Sequence, residues 1–131
     1  MARAFLAAVL LSCAAFAQQK QPDYPDPPEE DKAIAPRDYA FNPLQAKKEL
    51  DAGNFYWKKG NYRAAANRYR EATLWDDSSP EAFFKLGESH EKLHEYTSAR
   101  EAFAKFIELS ADKNKANDLR KRMAKWPADS Q

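Results

Sequence analysis

Five consecutive residues in the second half of the chain have the types and spacing of a zinc-protease motif. The run His90-Glu91-Lys92-Leu93-His94 matches H-E-x-x-H, in which two histidines one helical turn apart bind zinc and the glutamate is the general base. The chain holds 2 histidines in all, so a third ligand would be a carboxylate such as Glu101 or Glu108. The motif predicts a metallopeptidase only where both histidines lie inside one helix and face a cleft.

The elements that position this motif are two related units, because landmark residues recur at a spacing of about 34 positions. The aligned pairs are Gly53 with Gly87, Ala52 with Leu86, Tyr62 with Tyr96, Ala65 with Ala99, and Tyr69 with Phe103. Within each unit, two successive apolar series at helical spacing predict two helices. In this register His90 aligns with Tyr56 and is expected to pack between helices. His94 aligns with Gly60 at a helix end, so the register argues against a zinc site.

The units resemble the tetratricopeptide (TPR) repeat, a pair of helices with small and aromatic residues at fixed places. The residues that carry the resemblance are Gly53, Tyr56, Ala65, Tyr69, Ala72, Leu86, Gly87, Ala99 and Phe103. The resemblance implies an all-α fold, an α-solenoid of two TPR helix pairs at residues 46–79 and 80–113. Glycine and alanine at these places are expected to let the paired helices pack closely.

Helix boundaries follow from capping residues and prolines. Asn42-Pro43 and Ser79-Pro80 each combine a side-chain cap with proline at the first helical position. The predicted helices cover residues 43–59, 62–75, 80–93 and 96–109. A fifth helix at residues 114–126, with a polar and basic outer face, is expected to cap the solenoid. The predicted TPR domain therefore covers residues 43–126, and residues 127–131 form a tail.

The N-terminal residues have the pattern of a secretory signal peptide. Arg3 precedes an apolar run that ends in Ala15-Phe16-Ala17, an A-x-A cleavage site. Residues 1–17 are therefore predicted to be removed on export to the periplasm. Leu10-Leu11-Ser12-Cys13 supports an alternative, because it resembles a bacterial lipobox and would make Cys13 the lipid anchor of a membrane-attached lipoprotein.

Residues 18–42 form a predicted disordered linker. This stretch is rich in proline and acidic residues, which lack the backbone donor or the apolar surface that a packed element needs. Its expected role is that of a spacer. A second hypothesis is that Tyr24, Tyr39 and Phe41 fold back as a plug in a binding groove. The net charge of +1 gives no reason to expect a nucleic-acid partner.

The resemblance to TPR domains implies a binding groove on the inner face of the first helix of each unit. The corresponding residues are Lys47, Leu50, Asn54, Trp57, Lys58, Phe84, Lys85, Glu88 and Lys92. Leu50, Trp57 and Phe84 are expected to face a peptide or a partner helix. Asn54 matches the carboxylate clamp of chaperone-binding TPR domains, but Leu50 replaces the clamp lysine. That particular ligand is therefore not implied.

A narrower resemblance concerns residues 53–62 and 65–69, which are similar to the TPR lipoproteins of the outer-membrane β-barrel assembly machinery, the BamD family. It implies a periplasmic scaffold, although this chain carries two units where that family has about five. The predicted function is a non-catalytic protein-binding scaffold of the bacterial cell envelope, with no cofactor and no metal. Zinc metallopeptidase and lipid-tethered accessory lipoprotein are the alternatives. The isolated chain is expected to be monomeric, and a dimer that stacks repeat on repeat is the alternative.

Overall fold

The computed structural model describes residues 38–128, and the predictions for residues 1–17, for Tyr24 and for most of the linker lie outside them. Across residues 38–128 the regular elements are five helices. These are α1 (Pro43–Lys58), α2 (Tyr62–Trp75), α3 (Pro80–Lys92), α4 (Tyr96–Leu109) and α5 (Lys113–Met123). The helices pack mainly on their neighbours along the chain, so the described part of the chain is an all-α solenoid, as predicted. Within the same range, no helix is long and apolar enough to cross a membrane.

Most of the helices begin at side-chain caps. The side chains of Asn42, Asn61, Ser79 and Asp112 each accept a hydrogen bond from a backbone N–H in the first turn that follows. Glu95, before α4, makes no such bond. Its position corresponds to Asn61 in the first repeat, so the two repeats begin their second helix in different ways.

Two residues after the first helix of each repeat ends, the chain passes through a residue with a left-handed backbone. Gly60 has φ +73° and His94, which is aligned with it, has φ +59°. Glycine adopts this conformation without steric cost, whereas residues with a Cβ do so rarely. The helices end at Lys58 and Lys92, one residue before the predicted ends, because the turn that reverses the chain starts there.

The core lies where small residues let aromatic rings approach the helix backbone. Tyr69 and Phe103 are both fully buried, together with Ala65 and Ala99. A Cβ built on Gly87 would lie 2.7 Å from Cδ1 of Phe103. The predicted close approach at the small positions is thus confirmed.

The C-terminal helix differs from the prediction of residues 114–126. It begins at Lys113, after the Asp112 cap, and ends at Met123, and the proline at position 127 disfavours helical backbone at Trp126. Trp126 instead packs against α4, with its ring centroid 5.2 Å from that of Tyr96. The carbonyl of Pro127 accepts a hydrogen bond of 2.8 Å from Arg100, so the predicted tail begins with a residue that contacts α4.

The last residues of the predicted linker contact the solenoid. The Tyr39 hydroxyl donates to Glu71 at 2.8 Å, and its ring packs edge-on against Trp75 at 4.9 Å. The backbone N–H of Asn42 donates to the Trp75 carbonyl at 2.9 Å. Tyr39 therefore lies on the second helix of the first repeat and outside the predicted groove. Phe41 is 70% exposed, so neither residue acts as the plug that was hypothesised.

Candidate functional site

The zinc-motif histidines do not share a helical face. His90 is 4% exposed, inside α3, and its Nδ1 lies 2.7 Å from Oε2 of Glu95. His94 lies beyond the end of α3 in the left-handed turn. The two ring nitrogens therefore cannot point together into a cleft. Between residues 38 and 128 no three His, Cys, Asp or Glu side chains are grouped so that they could hold a metal ion.

Glu95, the residue before α4, contacts both α2 and α3. One carboxylate oxygen pairs with His90 of α3, and the other pairs with the Arg63 guanidinium of α2. The hydrogen bond from Arg63 holds the pKa of Glu95 below its ordinary value, burial opposes that shift, and the bond from His90 adds to it. Because its carboxylate is used in these contacts, Glu95 does not cap α4.

The face of α1 and α3 that carries the predicted groove residues is here called the groove face. The prediction of an open apolar stripe on it is wrong for Leu50, which is 9% exposed and packs in the core. Alanines dominate its surroundings and leave the space that a leucine side chain fills. Trp57 and Phe84 are half-buried, and both pack against core clusters.

The two remaining apolar residues of the groove face are held by neighbouring rings and a lysine. Trp57 lies edge-on to Tyr62, with centroids 4.9 Å apart. Phe84 contacts Phe106 at 5.2 Å, and Lys115 Nζ lies 3.7 Å from the Phe84 ring centroid. Lys115 therefore covers part of the ring that was expected to be open. The binding role of Trp57 and Phe84 stays a prediction.

The polar part of the groove face is organised around a buried hydroxyl. The Tyr69 hydroxyl donates to Oδ1 of Asn54 at 2.8 Å. Burial raises the pKa of Tyr69, and the charges of Glu88 and Glu81 raise it further. The hydrogen bond thus joins α2 to α1. Asn54 therefore accepts a hydrogen bond within the protein. The resemblance to the carboxylate clamp did not imply this structural role.

The other predicted residues of the groove face are charged. Lys85 and Glu88 are half-buried, whereas Lys58 and Lys92 are exposed. Lys47 is exposed and forms an ion pair with Asp51 at 2.9 Å, and this hydrogen bond raises the pKa of Lys47. The groove face is therefore a mixed-charge surface with two half-buried rings.

Arg122 of α5, and Trp126 just beyond its end, extend the groove face, although neither was among the predicted groove residues. Arg122 forms an ion pair with Glu91 of α3, in which its Nε donates at 2.8 Å. Arg122 stands 34 positions after Glu88, and Trp126 stands 34 positions after Lys92. The same offset that revealed the repeats could have identified both. The predicted role of α5 was that of a cap, so Arg122 and Trp126 were not assigned to the groove.

Comparison with family models identifies the repeats. Residues 53–93 match a model described as TPR repeat, and residues 80–113 match a second described as Tetratricopeptide repeat. Residues 53–113 match tetratricopeptide repeats. The TPR region thus contains the whole of α2, α3 and α4, together with both motif histidines. A search of curated proteins gave no match to the chain. TPR repeats stack into scaffolds with extended binding surfaces, so the two matches support a protein-binding scaffold.

Proposed function

We propose that this chain is a non-catalytic interaction module that binds a peptide or a partner helix along the groove face. One observation carries the proposal: two side chains of α5 contact α3, the first helix of the second repeat, across this face. Arg122 of α5 pairs with Glu91 of α3, and Lys115 of α5 lies over Phe84 of α3. Helices α3 and α5 therefore present one continuous surface to a ligand, and we infer that the groove residues of α1 extend it.

The chemistry of this surface favours an amphipathic protein ligand. Trp57 and Phe84 offer aromatic area between charged neighbours, and aromatic anchors contribute most where charged groups surround them and exclude water. Burying one such side chain against a partner contributes about 1.5–3 kcal/mol. Lys85 and Glu88 supply both signs of charge within one helix, which favours a partner with alternating charges over a uniformly charged polymer.

Site-specific photo-crosslinking tests the proposal directly. A photoreactive residue at Lys85, on the groove face, is compared with one at Glu101, which is exposed on α4. Extract of the bacterial cell envelope provides the candidate partners. We expect a discrete protein adduct from position 85 and none from position 101. Equal adducts from both positions would refute specific use of the groove face.

A paired substitution provides the second arm of this experiment. Trp57→Ala combined with Phe84→Ala is expected to abolish the adduct at position 85 while the helical circular dichroism signal is retained. An adduct of unchanged yield would mean that the partner does not use the two aromatic rings, and the basic residues Arg120 to Arg122 would be the next positions to probe. The identity of the partner is read from the adduct by mass spectrometry.

The cellular setting is a narrower part of the proposal. The predicted signal peptide supports a periplasmic scaffold, and the lipobox-like residues before Cys13 support a membrane-anchored variant of it. Resemblance of residues 53–69 to the BamD family supports a role in outer-membrane protein assembly. Mass analysis of the mature chain distinguishes Gln18 from a lipidated Cys13 as its first residue. An unprocessed N-terminus in cells would refute export through this sequence.

A further inference from the structure

His94 occupies a backbone conformation that the first repeat assigns to glycine. Its φ is +59°, and the aligned Gly60 has φ +73°. A residue with a Cβ pays about 1–2 kcal/mol for this conformation, and such outliers are found preferentially at functional sites. The His94 side chain is exposed, and its Nδ1 lies 2.9 Å from the Tyr96 hydroxyl. The conformation therefore directs attention to the surroundings of this imidazole.

A cavity lies beside His94, where α3 ends, α4 begins and α5 ends. Its volume is about 470 Å³, which falls within the range of about 300–1,000 Å³ seen for ligand sites. We call it the His94 pocket, and its lining residues are Glu91, Lys92, His94, Tyr96, Arg122 and Trp126. It adjoins the groove face through Lys92 and Arg122, so a ligand on that face can reach it.

The polar groups that this pocket leaves for a ligand are donors. The Glu91 carboxylate is already held by Arg122. Lys92 is exposed and has no carboxylate partner in residues 38–128; its Nζ lies 5.8 Å from the centroid of the Tyr62 ring. When the Tyr96 hydroxyl donates to Nδ1 of His94, the proton of the imidazole lies on Nε2 and is available for donation. Lys92 and Nε2 of His94 are then two donors next to Glu91, whose charge is already compensated by Arg122. Such a pair of donors suits a carboxylate of the ligand.

The apolar wall of the pocket is aromatic. The rings of Tyr96 and Trp126 have centroids 5.2 Å apart and planes inclined at 39°, so they form an open angle and not a parallel stack. Both rings are half-buried, which keeps part of each one accessible. Aromatic-lined grooves recognise proline-rich segments, whose extended polyproline conformation costs little entropy to bind.

We propose that the His94 pocket binds an extended acidic peptide, with a proline ring against Tyr96 and Trp126 and a neighbouring carboxylate at Lys92 and His94. This inference rests on the proposed function, because the peptide is the end of a ligand that lies on the groove face. It specifies the chemistry of the ligand at the end of the groove face where the His94 pocket lies. Charge complementarity and the aromatic wall select the peptide together, since neither alone requires both proline and acid.

Three synthetic peptides of about twelve residues, roughly 37 Å long when extended as polyproline, test the pocket in fluorescence anisotropy with the full chain. One repeats Pro-Pro-Glu, one Pro-Pro-Gln and one Ala-Ala-Glu. We expect the first to bind about tenfold more tightly than either of the others, which corresponds to about 1.4 kcal/mol. Equal binding of the two acidic peptides would reduce the effect to charge attraction and overturn the proposal. Absence of binding by all three would overturn it as well.

Substitutions test whether the peptide binds in the His94 pocket. Lys92→Glu is expected to weaken Pro-Pro-Glu binding about tenfold, and Lys121→Glu, the same charge change at an exposed residue of α5 outside the pocket, less than about twofold. His94→Gly is expected to weaken binding without loss of folding. Equal losses from Lys92→Glu and Lys121→Glu would overturn the proposal. An adduct at position 85 that persists when all peptides fail would leave the groove-face function intact, so the two failures are distinguishable.

Discussion

Gly53 lies against the ring of Tyr69 so closely that a Cβ added to it would come within 2.6 Å of Cδ1. Gly87 has the same relationship to Phe103, at 2.7 Å. In each repeat a glycine of the first helix receives an aromatic ring of the second helix. This contact, made twice, sets the distance between the helices of each pair. Any side chain at either glycine must move a buried ring.

Enlarging a small residue at these contacts should destabilise the fold. We expect Gly87→Leu or Ala99→Leu to cost about 1–3 kcal/mol or more, because an overpacked core must shift backbone or adopt poor rotamers. Glu101→Ala, at an exposed position of α4, should cost little. Urea unfolding followed by circular dichroism gives the three values. Equal losses for core and surface variants would contradict the repeat register.

At the left-handed turns, we expect glycine to give a more stable fold than alanine. His94→Gly should be more stable than His94→Ala by about 1 kcal/mol, because both remove the imidazole and only glycine accepts φ +59° freely. Gly60→Ala should lose a similar amount, although a Cβ at Gly60 would meet no atom within 4 Å. Thermal unfolding of the three variants measures the difference between the two His94 variants and the loss of stability in Gly60→Ala. Identical stability of the two His94 variants would contradict the assigned backbone strain.

For the hydrogen bond between Tyr69 and Asn54, removing the donor and removing the acceptor should lower the free energy of unfolding by different amounts. Tyr69→Phe removes the hydroxyl and should cost about 1 kcal/mol, whereas Asn54→Ala leaves a buried hydroxyl without its acceptor and should cost about 1–3 kcal/mol. The double variant should then cost less than the sum of the two. Denaturant titration of all four proteins completes the cycle. Strict additivity would mean that the hydroxyl has no energetic coupling to Asn54.

The contacts of Glu95 predict a pH dependence of stability. Its pKa is lowered from 4.5 in the folded protein, with the hydrogen bond from Arg63 as the largest cause. A lowered carboxyl pKa stabilises the fold above the unfolded value, and this contribution is lost as the pH falls through the folded value. The stability advantage of the natural chain over Glu95→Gln should therefore shrink from about pH 7 to about pH 3. Glu101→Gln is the matched control. A difference that stays constant across this range would contradict the prediction.

The metal hypothesis leads to a separate measurement. His90 is buried and bonded to Glu95, so His90→Ala should lower stability through a lost core contact. We expect the metal content of the purified chain, measured by mass spectrometry, to be the same before and after this change and below one zinc per molecule. A stoichiometric zinc that is lost with His90 would restore the metallopeptidase alternative.

Much of the fold was predictable because local signals and the repeat agree. Gly53, Gly87, Ala65 and Ala99 specify the register, and asparagine or serine before proline specifies where α1 and α3 begin. The bounds of α2 and α4 match their predictions. His90 was correctly placed in the core because its partner in the first repeat is an aromatic residue.

The parts that failed depend on contacts that the repeat does not encode. Leu50 has a groove position, yet the small alanines around it leave a space that draws it into the core. Trp126 leaves its helix because a proline follows and because Tyr96 and Phe103 offer a packing surface. The His94 pocket could not be predicted either, since it depends on where α5 ends. These features arise from side chains meeting across helices, which a spacing pattern does not specify.

The order of helix packing has a consequence for how the chain folds. Since each helix packs mainly on its neighbour along the chain, native contacts require only short loops to close, and such topologies fold within microseconds to milliseconds. The helix α5 contacts α4 through the smallest of the interfaces between successive helices. It should therefore open first, and its amides should exchange with solvent faster than those of α2 and α3. A ligand in the His94 pocket touches α5 only in its docked form, so binding there would slow this exchange by mass action.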